Sequence, residues 1–232
     1  MPLMAEIKRK AFHHLSLIYL ILYAVLPRWA MIALLGCALV FSATVEFLRL
    51  RRPEINAWLL SKFAGIHREA EVMSPSGIFW TMLGCWLTMV IFVDKLVAIT
   101  GIGFLVFGDS AAALVGQAYG KHPWKKNPRK SMEGSAAFGI VSFLWGLLMV
   151  RPHGALIGAI LTTWIEMLPL RLNDNFVIPL AGAFSVSVCF GGKIIRGNPF
   201  VYLLGRTLLF SALSLAASFA LLYFRKKEPD AT

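Results

Sequence analysis

Apolar runs long enough to cross a hydrocarbon layer partition this chain, and short clusters of Lys and Arg lie between them. The runs fall at about 12–27, 29–48, 77–93, 96–119, 134–150, 154–170, 176–190 and 200–224. About 20 helical residues span a bilayer core of about 30 Å, and lipid-exposed irregular backbone has no partners for its polar groups there. The pattern therefore predicts an all-α fold, a polytopic integral membrane bundle of roughly eight transmembrane helices forming one membrane domain over 1–232. Several runs reach only about 15–17 residues, so they borrow flanking residues or sit partly within protein. The first is not read as a cleaved signal peptide: no small-residue cleavage site follows it, and Pro27-Arg28-Trp29 turns directly into the next run.

Charge sorts itself along this division. The chain is 58% hydrophobic and 15% charged, with a formal net charge of +11, a balance unlike that of a soluble domain. Placing the amino terminus inside puts most of the 23 Lys and Arg on one side: Lys8, Arg9 and Lys10; Arg49, Arg51, Arg52, Lys62 and Arg68; Lys121, Lys125, Lys126, Arg129 and Lys130; Arg171; Arg225, Lys226 and Lys227. The other side holds Arg28, Lys95, Arg151, Lys193 and Arg196, and Arg206 lies within the last run. Cytoplasmic loops collect basic residues, so both termini are predicted to be cytoplasmic. The excess charge is read as bilayer orientation, and no nucleic-acid partner is expected. Cys37, Cys85 and Cys189 occupy separate runs without metal-ligand spacing and read as core residues.

Two inside segments are longer than a turn. The first, 49–76, spaces Ile55, Trp58, Leu59, Phe63 and Ile66 helically among basic residues and predicts an amphipathic helix lying in the interface. The second, 120–133, is lysine-rich and holds Pro123 and Pro128, which predicts a loop. Asp94 and Lys95, in a short outside turn, are expected to be solvated.

Ionisable residues within spans are functional candidates. Glu46, Asp109 and Glu166 sit in spans that run from outside to inside, each nearer the inner end, and Asp174 follows the sixth span. Any one of them could simply pair with a nearby Arg or Lys, but four carboxylates leaning toward one lysine-rich loop suit a magnesium-bound nucleotide. Carboxylates hold the hard cation while lysines neutralise phosphate oxygens. Helix amino termini on the same side add N–H groups for anions. Ser131 and Glu133 open the fifth span, where capping and dipole complementation explain them as readily; Asp174-Asn175 opens the seventh in the same way. The segment Gly116-Gln117-Ala118-Tyr119-Gly120-Lys121-His122 is not a P-loop: it is one residue short between the glycines, lacks Ser or Thr after Lys, and follows an apolar helix.

Gly108-Asp109-Ser110-Ala111-Ala112-Ala113-Leu114-Val115-Gly116-Gln117-Ala118-Tyr119-Gly120-Lys121, then Lys130-Ser131-Met132-Glu133-Gly134-Ser135, then Asn173-Asp174-Asn175-Phe176-Val177-Ile178-Pro179-Leu180 form an ordered set. This set resembles the CTP-dependent lipid-alcohol kinases, that is the dolichol, phytol and CTP-using diacylglycerol kinases, a superfamily shared with the phosphatidate cytidylyltransferases. Arg9-Lys10-Ala11-Phe12-His13 is similar to that family's amino-terminal Arg-Lys-x-x-His.

The resemblance implies transfer of the terminal phosphate of CTP to the hydroxyl of a membrane lipid alcohol, with Mg2+ as cofactor, at the cytoplasmic face; the lack of a targeting peptide and the compact size suit a bacterial cytoplasmic membrane. The resemblance also implies Asp109 as a metal ligand and Lys121 and Lys130 as phosphate clamps. Glu133, Glu166 and Asp174 would complete the metal shell or accept the alcohol's proton, the metal set being Asp109, Glu133 and Asp174. Gly108, Gly116, Gly120, Ser131, Gly134 and Asn175 would line the nucleotide and phosphate site, although close helix packing would also produce the small residues. Arg9, Lys10, His13 and Glu46 are further candidates, with membrane anchoring the competing role for the first three. Two rivals remain: a cytidylyltransferase that attaches CMP to a phospholipid, and a transporter or flippase of a phosphorylated lipid. Nothing in the residues selects the acceptor lipid or an oligomeric state.

Overall fold

The computed structural model describes residues 16–62, 71–170, 172–189, 208–210 and 212. Arg9, Lys10 and His13, the apolar residues Phe63 and Ile66, and most of the 200–224 run lie outside the described residues. The described helices are α1 (Ser16–Val25), α2 (Arg28–Arg51), α3 (Pro53–Lys62), α4 (Gly77–Ile91), α5 (Lys95–Gly103), α6 (Ser110–Tyr119), α7 (Met132–Met149), α8 (Pro152–Met167) and α9 (Asp174–Val188). One turn of π-helix, Phe104–Asp109, joins α5 to α6, so Lys95–Tyr119 is one continuous rod.

The chain is mostly helical, and among the described residues three helices are long and apolar enough to cross a membrane: Arg28–Arg51, Lys95–Tyr119 and Met132–Met149. Their environments differ sharply. The apolar window of the Lys95–Tyr119 rod is 89% buried inside the protein, and that of α2 only 17%. The rod is therefore the axis of the bundle, and α2 presents Val40, Phe41 and Phe47 outward.

Side chains of minimal size let other helices close on this axis. Gly101 and Gly103 leave room for α9 at Ala183 and for the indole of Trp145. Trp145 in turn donates its indole N–H to the carbonyl of Thr100 (3.2 Å) and packs against Phe107, with ring centroids 4.7 Å apart. Phe210 closes this aromatic cluster against both rings. Another close crossing joins α6 to α7. A methyl group on Gly134 would lie 2.8 Å from the Ala112 carbonyl oxygen and 3.2 Å from the Gly116 Cα, atoms of a neighbouring backbone that cannot yield.

Three expectations change here. The chain is not wholly α: within the 120–133 segment, β1 (Pro123–Trp124) and β2 (Asn127–Ser131) pair antiparallel across the Lys125-Lys126 turn, with Trp124 opposite Asn127 and a register irregularity toward the Pro123–Ser131 pair. The prolines that argued for a loop sit where a two-stranded ribbon tolerates missing N–H groups. The 49–76 segment is not one helix either. α2 continues to Arg51, the chain breaks before Pro53, and the separate α3 ends at Lys62. Finally, Asp94 and Lys95 are not merely solvated. Asp94 caps α5 by accepting from the Leu96 N–H (2.8 Å), and Lys95 donates to the Leu26 carbonyl (2.6 Å), while Arg28 donates to Met89 and Val90 carbonyls at the end of α4.

The α6–α7 crossing yields a direct test. Gly134→Ala is expected to lower stability by about 1–3 kcal/mol through overpacking, read as a reduced thermal midpoint in detergent. Gly154→Ala, whose added methyl meets nothing closer than 3.8 Å, is expected to leave the midpoint unchanged or raise it slightly, because Ala is the better helix former.

Candidate active site

The hairpin lies where four helix ends meet: the last turn of α6, the first of α7, the last of α8 and the first of α9. Two side chains hold it across them. Trp124 on β1 donates its indole N–H to Ser135 Oγ on α7 (3.0 Å), and Asn127 on β2 points its amide at the Met167 and Leu168 carbonyls at the end of α8 (3.4 and 3.5 Å). Lys130, four residues before the start of α7's first buried turn, is thereby directed into the junction.

There the Lys130 ammonium meets carboxylates from separate helices. Its Nζ is 2.7 Å from Glu166 Oε1 on α8 and 3.1 Å from Asp174 Oδ2 at the start of α9. Asp109, the last residue of the π-turn and buried, adds its field to the same ammonium. Burial works against the charge on Lys130. The carboxylates of Asp174, Asp109 and Glu166, and the hydrogen bond to Glu166, outweigh it and hold the ammonium above the ordinary lysine value of 10.5. Glu166 is almost wholly buried, at 2% exposure, and Ser135 donates its hydroxyl to Glu166 Oε2 (2.9 Å).

The other residues singled out in the sequence fall into distinct places. Ser131 is the N-cap of α7, its hydroxyl accepting from the Gly134 N–H (3.1 Å). Glu133 does not join the cluster around Lys130. Its carboxylate is 2.6 Å from His122 Nδ1 and accepts from the His122 backbone N–H (3.4 Å), which ties the start of the hairpin to α7. Lys121 is exposed at the end of α6. Asn175 donates its side-chain amide to the Gly77 carbonyl (3.3 Å), pinning α9 to α4, while its own N–H is capped by Asn173 Oδ1 (3.0 Å).

Gly108 and Gly134 are buried, Gly116 is half-buried and Gly120 is exposed. Space over Gly108 is taken by Ser142 and Phe138, Gly116 and Gly134 face each other, and Gly120 abuts Ser131. Close helix packing accounts for small residues at these positions. Glu46 is engaged elsewhere too. It pairs with Arg49 (2.7 Å) and accepts from the Ser76 N–H (3.2 Å), while Arg49 also reaches Asn56 and the carbonyls of Glu71 and Ser74.

Among the described residues, no three His, Cys, Asp or Glu side chains are grouped as a metal cage, so the expected set of Asp109, Glu133 and Asp174 is not assembled. Asp174, in contact with Lys130, and Asp109, which acts on the same ammonium through its field, do offer hard oxygen donors. Magnesium is commonly held by one or two carboxylates, with water and substrate phosphates completing its octahedron, and this pair suits that arrangement.

Sequence reading missed Trp124, Ser135, Asn127 and Arg49. Arg49 was counted as loop charge, although its i,i+3 spacing from Glu46 signals a helical ion pair. Trp124, an indole donor inside a lysine-rich segment, was the available sign that the segment docks.

Comparison with known proteins places these features among relatives. The chain is 30% identical over 195 residues to an uncharacterised protein of Rickettsia prowazekii, covering 79% of this chain and 94% of that one. It is 30% identical over 169 residues to the dolichol kinase EVAN of Arabidopsis thaliana, covering 68% of this chain but only 29% of the kinase's length. It is 26% identical over 158 residues to CTP-dependent diacylglycerol kinase 1 of Schizosaccharomyces pombe, covering 60% of this chain and 72% of that one. No family model matches the chain, and no solved structure does.

Lys130→Met tests the electrostatics of the junction. Because the lysine's value is raised on folding, the stability it contributes is fully present below 10.5 and is lost only as pH rises through the raised value. Removing the ammonium at neutral pH takes the cation from the buried Glu166 carboxylate, an expected loss of about 3–5 kcal/mol. The deficit should shrink as pH rises through the raised lysine value, where the wild-type ammonium is lost as well. Thermal midpoints of both proteins measured against pH check the sign.

Proposed function

The chain belongs to the family of CTP-dependent lipid-alcohol kinases, and from that premise we propose that it phosphorylates the hydroxyl of a membrane lipid alcohol with CTP at the hairpin end of the bundle. The observation that carries this reading is Lys130, drawn in by Asp109, Glu166 and Asp174 where the amino-terminal ends of α7 and α9 meet.

Phosphoryl transfer asks a protein for positioning and charge stabilisation more than for covalent help. The alcohol oxygen bonds to the terminal phosphorus, the bond from that phosphorus to the bridging oxygen breaks, CDP departs, and the alcohol's proton passes to a carboxylate. Lys130 is the donor for phosphate oxygens, and Lys121 and the exposed lysines at the hairpin turn add a field that draws the anion in. Asp109 and Asp174 are the residues to hold magnesium, which when bound neutralises phosphate charge. α9's first turn, capped by Asn173 and pinned through Asn175, fixes Asp174 relative to α4.

We place the hairpin end in the cytoplasm, with both termini on that side and eight spans in all, because most Lys and Arg then face inward. A bacterial cytoplasmic membrane is the setting we propose. α3, with Ile55 and Trp58 exposed next to Arg51, Arg52 and Lys62, is suited to lie at that interface and guide a lipid toward the site.

Purified protein in vesicles, given CTP labelled at either the terminal or the innermost phosphate together with prenol, phytol or diacylglycerol, tests the reading. Terminal label is expected in the lipid. Innermost label there would identify a cytidylyltransferase, and absence of both would remove the enzyme reading. Asp109→Asn is expected to fold and to lose turnover by about 10²–10⁴-fold; near-normal turnover would take Asp109 out of the site.

A further inference from the structure

We propose that Glu166 is the fixed anchor of Lys130 and not the acceptor of the alcohol's proton, and that Ser135 and Trp124 are positioning residues that hold this anchor. The kinetic part of this assignment rests on the kinase reading; the anchoring part does not.

An indole N–H can only donate, so the Trp124 contact at 3.0 Å occupies Ser135 Oγ as an acceptor. The Ser135 hydroxyl proton is then directed to Glu166 Oε2 at 2.9 Å. A lysine ammonium also only donates, and it occupies Glu166 Oε1 at 2.7 Å. Both oxygens of Glu166 are therefore acceptors, fixed by donor-only groups at the two ends of the chain Trp124, Ser135, Glu166, Lys130. Protonating Glu166 would remove the charge that pairs with Lys130 and weaken both bonds.

Access points the same way. A general base must come within about 2.6–3.2 Å of the group it deprotonates, yet the Glu166 side chain is 1% exposed and has protein donors on both oxygens. Asp174, the other direct partner of Lys130, is 23% exposed at its side chain. The buried carboxylate fixes the lysine, and the carboxylate nearer the surface is placed to meet substrate. Trp124 belongs to the hairpin that also carries Lys130, so docking of β1 on α7 and seating of Lys130 on α8 are one event.

The test uses the full-length protein in detergent and reads two quantities. The first is the rate at which a small amine-acylating reagent modifies Lys130, followed by peptide mass spectrometry, with the exposed Lys125 and Lys126 as internal standards. Trp124→Phe and Ser135→Ala are expected to speed acylation of Lys130 by about 2–10-fold, and Glu166→Gln by about 10–100-fold, the range for losing a neutral or a charged hydrogen bond. The second is the kinetic split. Each variant should raise KM for CTP by a similar factor, with kcat within about threefold for Trp124→Phe and Ser135→Ala and still measurable for Glu166→Gln. Acylation of Lys130 unchanged in all three variants overturns the proposal. So does Glu166→Gln that loses about 10³-fold or more in kcat with KM for CTP unchanged, the mark of a general base. If the wild-type protein transfers no phosphate at all, the kinase reading fails by itself, and the acylation rates alone then decide whether Glu166 anchors Lys130.

Discussion

A lysine ammonium withdrawn from water requires negative charge around it, and the contact of Lys130 with Glu166 and Asp174 is the constraint from which this junction is built. Neither carboxylate comes from the lysine's own segment: one ends α8 and the other begins α9. Taking such charges out of water costs several kcal/mol per ion unless the geometry is good and the remaining lone pairs are satisfied. Ser135 satisfies one of them on Glu166, and Trp124 satisfies Ser135. Hairpin, α7, α8 and α9 are thus interdependent at this point, and Asp109 joins them electrostatically from the central rod.

That arrangement needs helices close enough for short side chains to meet. The α6–α7 crossing at Gly116 and Gly134 brings the π-turn and the start of α7 together. Ser131 sits at the same crossing, between Gly116 and Gly120, where its hydroxyl caps α7. A π-turn inserts an extra residue into the helical register and is frequent at functional sites; here it ends on Asp109. Glycines in the motif segments therefore let the helices that carry the charged groups approach one another.

Much of this was legible in the sequence because hydrophobic length and buried charge leave strong local signals. α2 and the helices from α4 to α9 coincide closely with apolar runs, and the carboxylates Asp109, Glu166 and Asp174 stood out as acids in or beside spans. Their convergence with Lys130 follows from their lying toward one end of the bundle. What could not be read depends on contacts between distant segments. Glu133 looked like a ligand from its place in the motif but is turned to His122, a residue without motif of its own. Glu46 looked like a member of the acid cluster but is neutralised by Arg49, one helical turn away. The hairpin was hidden because a five-residue strand rich in Lys and Pro has almost no intrinsic β signal, and docking through Trp124 and Asn127 supplies what its sequence lacks.

The central claim is that the cation held by these carboxylates is the one that receives the phosphates. An experimental structure of the protein with CTP and magnesium bound measures this directly, through the distance from Lys130 Nζ to the nearest phosphate oxygen. The account predicts a phosphate oxygen within about 3 Å of Nζ, with the Glu166 contact retained. Phosphates bound elsewhere, while Lys130 remains on Glu166 and Asp174 alone, would contradict it.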